Sequence, residues 1–370
     1  MSGPFRVSIC LLALLCSALG SSSTSSTPRR PLDAFISNKK LVVGAVAAAP
    51  LLYLGKKATD GPVYKGAPRS MQGKDVVITG ANTGLGKEAA ITLASLGANV
   101  VLLCRSAERG AAAVEDIKRE SESDSVSSIV MDLGDLNSIE KGASEVRKYL
   151  KSGKIDVLMN NAGVMAIPQR ETTVQGFEKH LGINHIGHFA LTKALLPLVE
   201  KSEAGRVVTV SSIAHQLGHL NREDLLLEQD GAYSPWPAYG NSKLANILFT
   251  KALATRLQAK GSKTLSLVCH PGVCRTELGR YLFDPSSVPK ALYPVLGVVA
   301  APAVYFTKSA KQGAQTQIFL AASPSISAQD TGSYYDNSAV ADTTPESKDT
   351  GLAEFLWTKT ESLIGSKFVV

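Results

Sequence analysis

Long apolar runs, cysteine and tryptophan are all scarce in this sequence. No stretch reaches the ~20 consecutive apolar residues that carry a helix upright across a bilayer. The two runs that come nearest are Val7–Leu19 and Leu41–Gly55. Five cysteines in 370 residues do not make a disulfide framework. Cys10 and Cys16 lie in the first apolar run, leaving Cys104, Cys269 and Cys274 for the body. Cys269 and Cys274 flank His270, but the spacing matches no zinc pattern and no second cluster accompanies it, so no metal is expected. Acid is missing from the N-terminal region. Residues 1–74 carry ten Lys/Arg against two Asp/Glu, whereas the remainder carries 29 against 30. The net charge of +7 therefore belongs to the leader. A nearly neutral body gives no compositional support for nucleic-acid binding.

What is present is a chain with 44% hydrophobic residues, enough for a substantial core. Residues 1–20 read as a signal-like segment. Arg6 is a short basic region, the apolar run follows, and Ser17-Ala18-Leu19-Gly20 supplies small residues for cleavage. Residues 21–73 read as a transit-like linker, Ser/Thr-rich at first with Arg29 and Arg30, and containing the apolar segment 41–55 between lysine pairs. This bipartite leader predicts entry to the secretory route and membrane association, at the endoplasmic reticulum or a plastid. Segment 41–55 is short for a span, and an interfacial segment or a helix resting on the body fits it equally.

From Lys74 strands alternate with helices, with strands near Asp75–Thr79, Asn99–Leu103, Ser127–Met131, Asp156–Met159, Arg206–Val210, Thr264–Cys269 and Ser333–Asp336. A long helical region is expected over about 174–200, ending near Pro197, and another over 239–260. The alternation predicts one α/β domain over 74–341, a doubly wound parallel sheet of about seven strands with helices on both faces, followed by a helical tail over 342–370. Two insertions, 213–238 and 277–330, fall after the fifth and sixth strands. Ligands bind beyond the carboxyl ends of strands in such sheets, so the apolar stretch 291–306 suggests a greasy substrate, a dimer contact or a membrane contact.

The first strand runs into Gly80-Ala81-Asn82-Thr83-Gly84-Leu85-Gly86. Glycines at a strand–helix junction let backbone approach a pyrophosphate facing the helix N-terminus. The second strand ends in Arg105, where a NAD site usually carries an acid. An arginine there suits a 2′-phosphate, which predicts NADP(H) over NAD(H). Asp132 and Leu133 border the adenine position, and Asn161-Ala162-Gly163 permit close backbone approach. Tyr239 and Lys243 share a helix face, so the cation is expected to lower the phenol pKa and make an acid/base device. Ser212 ends the fifth strand, where its hydroxyl can meet a substrate carbonyl oxygen. His215, His219 and His270 read as ordinary polar residues.

Taken together, these motifs resemble the short-chain dehydrogenase/reductase family over about Lys74–Ala341. Asn184-His185-Ile186-Gly187-His188-Phe189, Ser211–His215, Ser242–Asn246, His270–Val273 and Gly313–Thr316 resemble its retinol dehydrogenase-like branch. The resemblance implies Tyr239 as general acid or base, Lys243 as its partner and ribose holder, Ser212 on the carbonyl, and Asn184 holding a relay water. It further implies that Pro271, Gly272, Val273 and Thr276 meet the nicotinamide end of the cofactor. An apolar aldehyde, ketone or alcohol, retinoid-like or lipid-derived, is the expected substrate, and a homo-oligomer is expected. A light-dependent protochlorophyllide reductase-like enzyme and a non-catalytic nucleotide-binding scaffold remain as alternatives.

Overall fold

The computed structural model describes residues 55–275 and 305–370. The leader, the apolar segment up to Leu54, most of the second insertion and Thr276 lie outside them. Seven parallel strands form the sheet: β1 (Asp75–Thr79), β2 (Asn99–Cys104), β3 (Val126–Val130), β4 (Val157–Asn160), β5 (Arg206–Val210), β6 (Leu265–His270) and β7 (Tyr334–Asp336). A two-residue β8 (Ala339–Val340) adds an antiparallel edge. Asn337 and Ser338 both take positive φ, the conformation of a tight hairpin turn whose twist suits the flanking strands.

The order is β3-β2-β1-β4-β5-β6-β7-β8. Chain progression reverses between β1 and β4, which opens a crevice above their carboxyl ends. The strands are apolar throughout because both faces are covered. One core packs α1 (Gly84–Ser95), α2 (Ala107–Ser121) and α6 (Gln315–Ala322) on one face through residues such as Leu93, Ile117 and Ile318. The other packs α3 (Leu136–Tyr149), α4 (Gly187–Val199), α5 (Pro235–Ala259) and α7 (Thr350–Leu363) through Ile139, Phe189, Leu248 and Trp357.

The long helical region expected over about 174–200 forms from Lys179 to Val199, interrupted by a change of helix type. The Glu178 carboxylate caps a first turn, Lys179–Leu181, by accepting from the His180 and Leu181 amides. A π-helical turn, Gly182–Ile186, follows before α4 begins, and α4 runs past Pro197 to Val199. A π turn leaves the ordinary helical ladder locally unpaired, and such turns recur at functional sites. This one carries Asn184. Among the described residues no helix is long and apolar enough to cross a membrane.

Candidate active site

The β1–α1 turn is shaped by glycine. Gly80 has φ +64°, and a Cβ there would lie 2.9 Å from Ala162 Cα. A Cβ on Gly86 would meet the Gly80 carbonyl at 2.7 Å. Only glycine lets this turn and the β4–loop backbone close on each other. Thr79 ties the two together. Its hydroxyl oxygen accepts from the Asn161 and Ala162 amides, each at 2.9 Å, while Asn161 Nδ2 donates to the Thr79 carbonyl at 2.8 Å.

A cleft of about 390 Å³ lies over this junction. It brings together Gly80, Asn82, Thr83, Gly84, Leu85, Gly86, Arg105, Asp132, Leu133, Asn161, Ala162 and Gly163. Three observations fit these residues to a dinucleotide. The α1 N-cap, Thr83, makes no side-chain cap, so the first amides of α1 are left for an anion. Asn161 Oδ1 is buried without a partner. Arg105 is joined in the lining by Arg109, one turn into α2, a residue that sequence reasoning missed. The signal was there: Arg109 follows Arg105 by four residues across the helix cap Ser106, whose hydroxyl accepts from the Arg109 amide.

Tyr239, Lys243, Ser212 and Asn184 do not line that cleft. They gather at its end, and Gly163 joins the two: a Cβ there would stand 3.1 Å from Asn184 Oδ1 and 3.5 Å from Lys243 Nζ. Asn184 grips Val164 by both backbone groups, accepting from its amide at 2.8 Å and donating to its carbonyl at 3.0 Å. Its amide nitrogen also donates to Ser242 Oγ at 2.9 Å, and Ser242 donates to the Tyr239 carbonyl at 2.7 Å. Lys243 Nζ donates to the Val210 carbonyl at 3.1 Å and sits 5.7 Å from the Tyr239 ring centre. The Ser212 hydroxyl caps the following 3-10 turn, accepting from the Ala214 amide at 3.2 Å, and stands close enough to the Tyr239 phenol to lower its pKa.

Burial sets the electrostatics. It pushes the Tyr239 phenol up to about 12, with the Ser212 hydrogen bond opposing it. It pushes the Lys243 ammonium down to about 8. This corrects the expectation that Lys243 lowers the Tyr239 pKa: both side chains are almost fully buried, and desolvation, which disfavours each charged form, is the largest influence on both.

His188 was not foreseen as more than part of a motif. Its Nδ1 donates to the Asn184 carbonyl at 2.9 Å, so Nε2 accepts from the Thr79 hydroxyl at 2.9 Å. Burial holds it near 4, neutral at physiological pH, and the Asn184 carbonyl, which can only accept, places the remaining proton on Nδ1. The ring thus ties the glycine turn to the π turn. His270 Nδ1 accepts from the Gly272 amide at 2.9 Å and Nε2 meets Asp336 at 3.2 Å, which sets the Pro271-Gly272-Val273 turn beyond β6. Val273 is well exposed.

Residues 74–224 match the family model described as short chain dehydrogenase. Retinol dehydrogenase 13 of Homo sapiens is 38% identical over 325 residues, 87% of this chain and 93% of that protein. A protein of Mycobacterium paratuberculosis of known structure superposes with a TM-score of 0.64 at 35% identity, covering 83% of this chain and all of that one. A short chain dehydrogenase of Shigella flexneri 2a, complexed with NADP, superposes with a TM-score of 0.55 at 24% identity, covering 74% of this chain and 100% of that one.

Proposed function

Because the chain belongs to the short-chain dehydrogenase/reductase family, in its retinol dehydrogenase-like branch, we propose that this oxidoreductase of CH–OH and carbonyl groups uses NADP(H) and acts on an apolar, retinoid-like or lipid-derived substrate. The observation that carries the reading is the Ser212–Tyr239–Lys243 group held beside Gly163, where the nucleotide cleft ends. When bound, the nicotinamide supplies or accepts the hydride. The chain's own residues handle the proton and the geometry. The Ser212 hydroxyl, beside the Tyr239 phenol, marks where a substrate oxygen would share both groups. Tyr239 gives its proton to that oxygen in reduction and takes it back in oxidation. Lys243, fixed by the Val210 carbonyl, replenishes the proton and reaches toward the ribose end of the cleft. Asn184 spends its side chain on Val164 and Ser242, so its contribution is to hold the cleft wall against the Tyr239 helix.

The preference for NADP(H) rests on Arg105 and Arg109, which both line the β2 edge of the cleft. Membrane association rests on the leader and its apolar segment. The deciding experiment is an NADPH-coupled assay over retinal, fatty aldehydes, steroids and quinones, with Tyr239→Phe as control. Turnover by the native chain and none by the variant, which still binds NADPH, is the expected result. Undiminished turnover in the variant removes Tyr239 as the acid.

A further inference from the structure

The segment Val164–Ile167, at the start of the loop that leads to α4, is gripped at both ends. Asn184 holds the Val164 end, as described. At the other end His180 Nε2 accepts from the Ile167 amide at 3.2 Å, and the Tyr233 hydroxyl donates to the Ile167 carbonyl at 2.6 Å. Both backbone groups of Ile167 are therefore taken by side chains from other elements. Between the ends Ala166 takes φ +50°, an unusual conformation for a residue with a Cβ and one that persists only where the surroundings enforce it.

His180 is itself oriented. Its Nδ1 donates to Glu178 Oε1 at 2.8 Å, which leaves Nε2 as the acceptor that Ile167 needs. Glu178 is a fully buried carboxylate that spends its second oxygen on the Leu181 amide at 2.8 Å. A buried charge is tolerated only when so satisfied. The His180 ring, buried completely, packs edge-on against Tyr239, with centres 6.1 Å apart, and parallel to Tyr233 at 6.3 Å. One imidazole thus touches the ring of the phenol and the backbone of a residue that lines the nucleotide cleft.

We propose that His180, oriented by Glu178 and helped by Tyr233, is a positioning residue for the reaction: it sets the Tyr239 ring and the Val164–Ile167 wall of the cleft in fixed relation. The inference rests on the proposed role of Tyr239. It predicts that losing the clamp lowers turnover more than cofactor affinity, because Arg105, Arg109 and the glycine turn line the same cleft without contact to His180.

The test compares His180→Phe, His180→Gln and Tyr233→Phe. Phenylalanine keeps the ring and removes both nitrogens, glutamine restores an acceptor, and Tyr233→Phe removes one hydroxyl from a half-buried site where folding is not at stake. Losing a buried hydrogen bond in the positioning of an acid is expected to lower kcat by about tenfold in His180→Phe, with the KM for NADPH within about threefold of native. Tyr233→Phe should shift kcat the same way by less, and His180→Gln should recover most of the loss. Amide exchange at Ile167, read by mass spectrometry, should speed up in His180→Phe and Tyr233→Phe. Faster exchange with unchanged kcat in Tyr233→Phe and His180→Phe overturns the positioning role. Unchanged exchange overturns the clamp. If His180→Phe fails to fold, Tyr233→Phe decides both arms alone. A native chain without carbonyl turnover would refute the proposed activity instead, while the exchange comparison still judges the clamp.

Discussion

Tyr239 and Lys243 are each held away from the charge state that proton transfer passes through. The phenol keeps its proton to about pH 12 and the ammonium gives up its own near pH 8. The two directions of reaction then respond oppositely to pH. On the proposed roles, reduction needs the protonated phenol and a Lys243 cation to restore its proton, so kcat/KM for a carbonyl should be level near neutrality and fall as pH rises through about 8. Oxidation needs the phenolate, whose fraction only grows with pH across that range, so kcat/KM for the alcohol should climb. Profiles in both directions from about pH 6 to about pH 10 check this, and Lys243→Met should erase the falling limb of reduction. Parallel profiles in the two directions would contradict it. The spacing of Tyr239 and Lys243 made the pair legible in the sequence. The sign of the shift was not, because it depends on how completely the 239–260 region is covered, and that is decided by elements distant in sequence.

One such element is α7. Its Trp357 stacks on Phe249 of α5 with centres 6.0 Å apart, meets Phe189 of α4 at 4.8 Å, and carries the Arg256 guanidinium 4.0 Å above its ring. Phe368 closes the cluster at 4.9 Å from Trp357. The helix is capped by Asp349, whose side chain accepts from the Leu352 amide at 2.9 Å. This tail therefore completes the core beneath the helix that carries Tyr239. Trp357→Ala should cost about 3–5 kcal/mol, the usual range for emptying a large aromatic site. Chemical denaturation should show an earlier midpoint, and a midpoint equal to the native one would mean that the cluster contributes nothing. Helices like α7, with caps and periodic apolar residues, were readable from the sequence. The π turn at Gly182–Ile186 was not. Nothing in Gly182-Ile183-Asn184-His185-Ile186 breaks a helix pattern, and the cause lies in partners, since Asn184 bonds Val164 and Ser242 and His188 bonds back to the Asn184 carbonyl. His180 and His188 were passed over for the same reason: a histidine in a helical run gives no local hint of what its two nitrogens will reach.

At the scale of the molecule, the sheet order places every strand end that serves the site on one edge. That much followed from alternation of strands and helices, because parallel strands must all point the same way for their connections to cross over on the faces. The two-residue β8 did not follow, being too short to show a pattern. The crevice between β1 and β4 is bordered by residues from the ends of β1, β2, β3 and β4, so a dinucleotide lying in it would bridge four segments of the folded chain. Such a ligand binds the folded chain alone and must stabilise it by mass action, by about 2.7 kcal/mol at a hundred times its dissociation constant. For a domain of this size that corresponds to a rise in Tm of several degrees, about 2–4 °C per kcal/mol. NADPH should produce the full shift and NADH a smaller one at equal concentration, because only NADPH offers a 2′-phosphate to Arg105 and Arg109. Arg105→Asp should shrink the NADPH shift toward that of NADH while leaving the melting temperature of the ligand-free chain near the native value, since Arg105 is exposed and supports no part of the core. Thermal scans with both nucleotides on both proteins make the comparison. Equal shifts for NADPH and NADH in the native chain would remove the two arginines as the basis of cofactor choice, and a native chain whose Tm neither nucleotide moves would remove the cleft as a dinucleotide site.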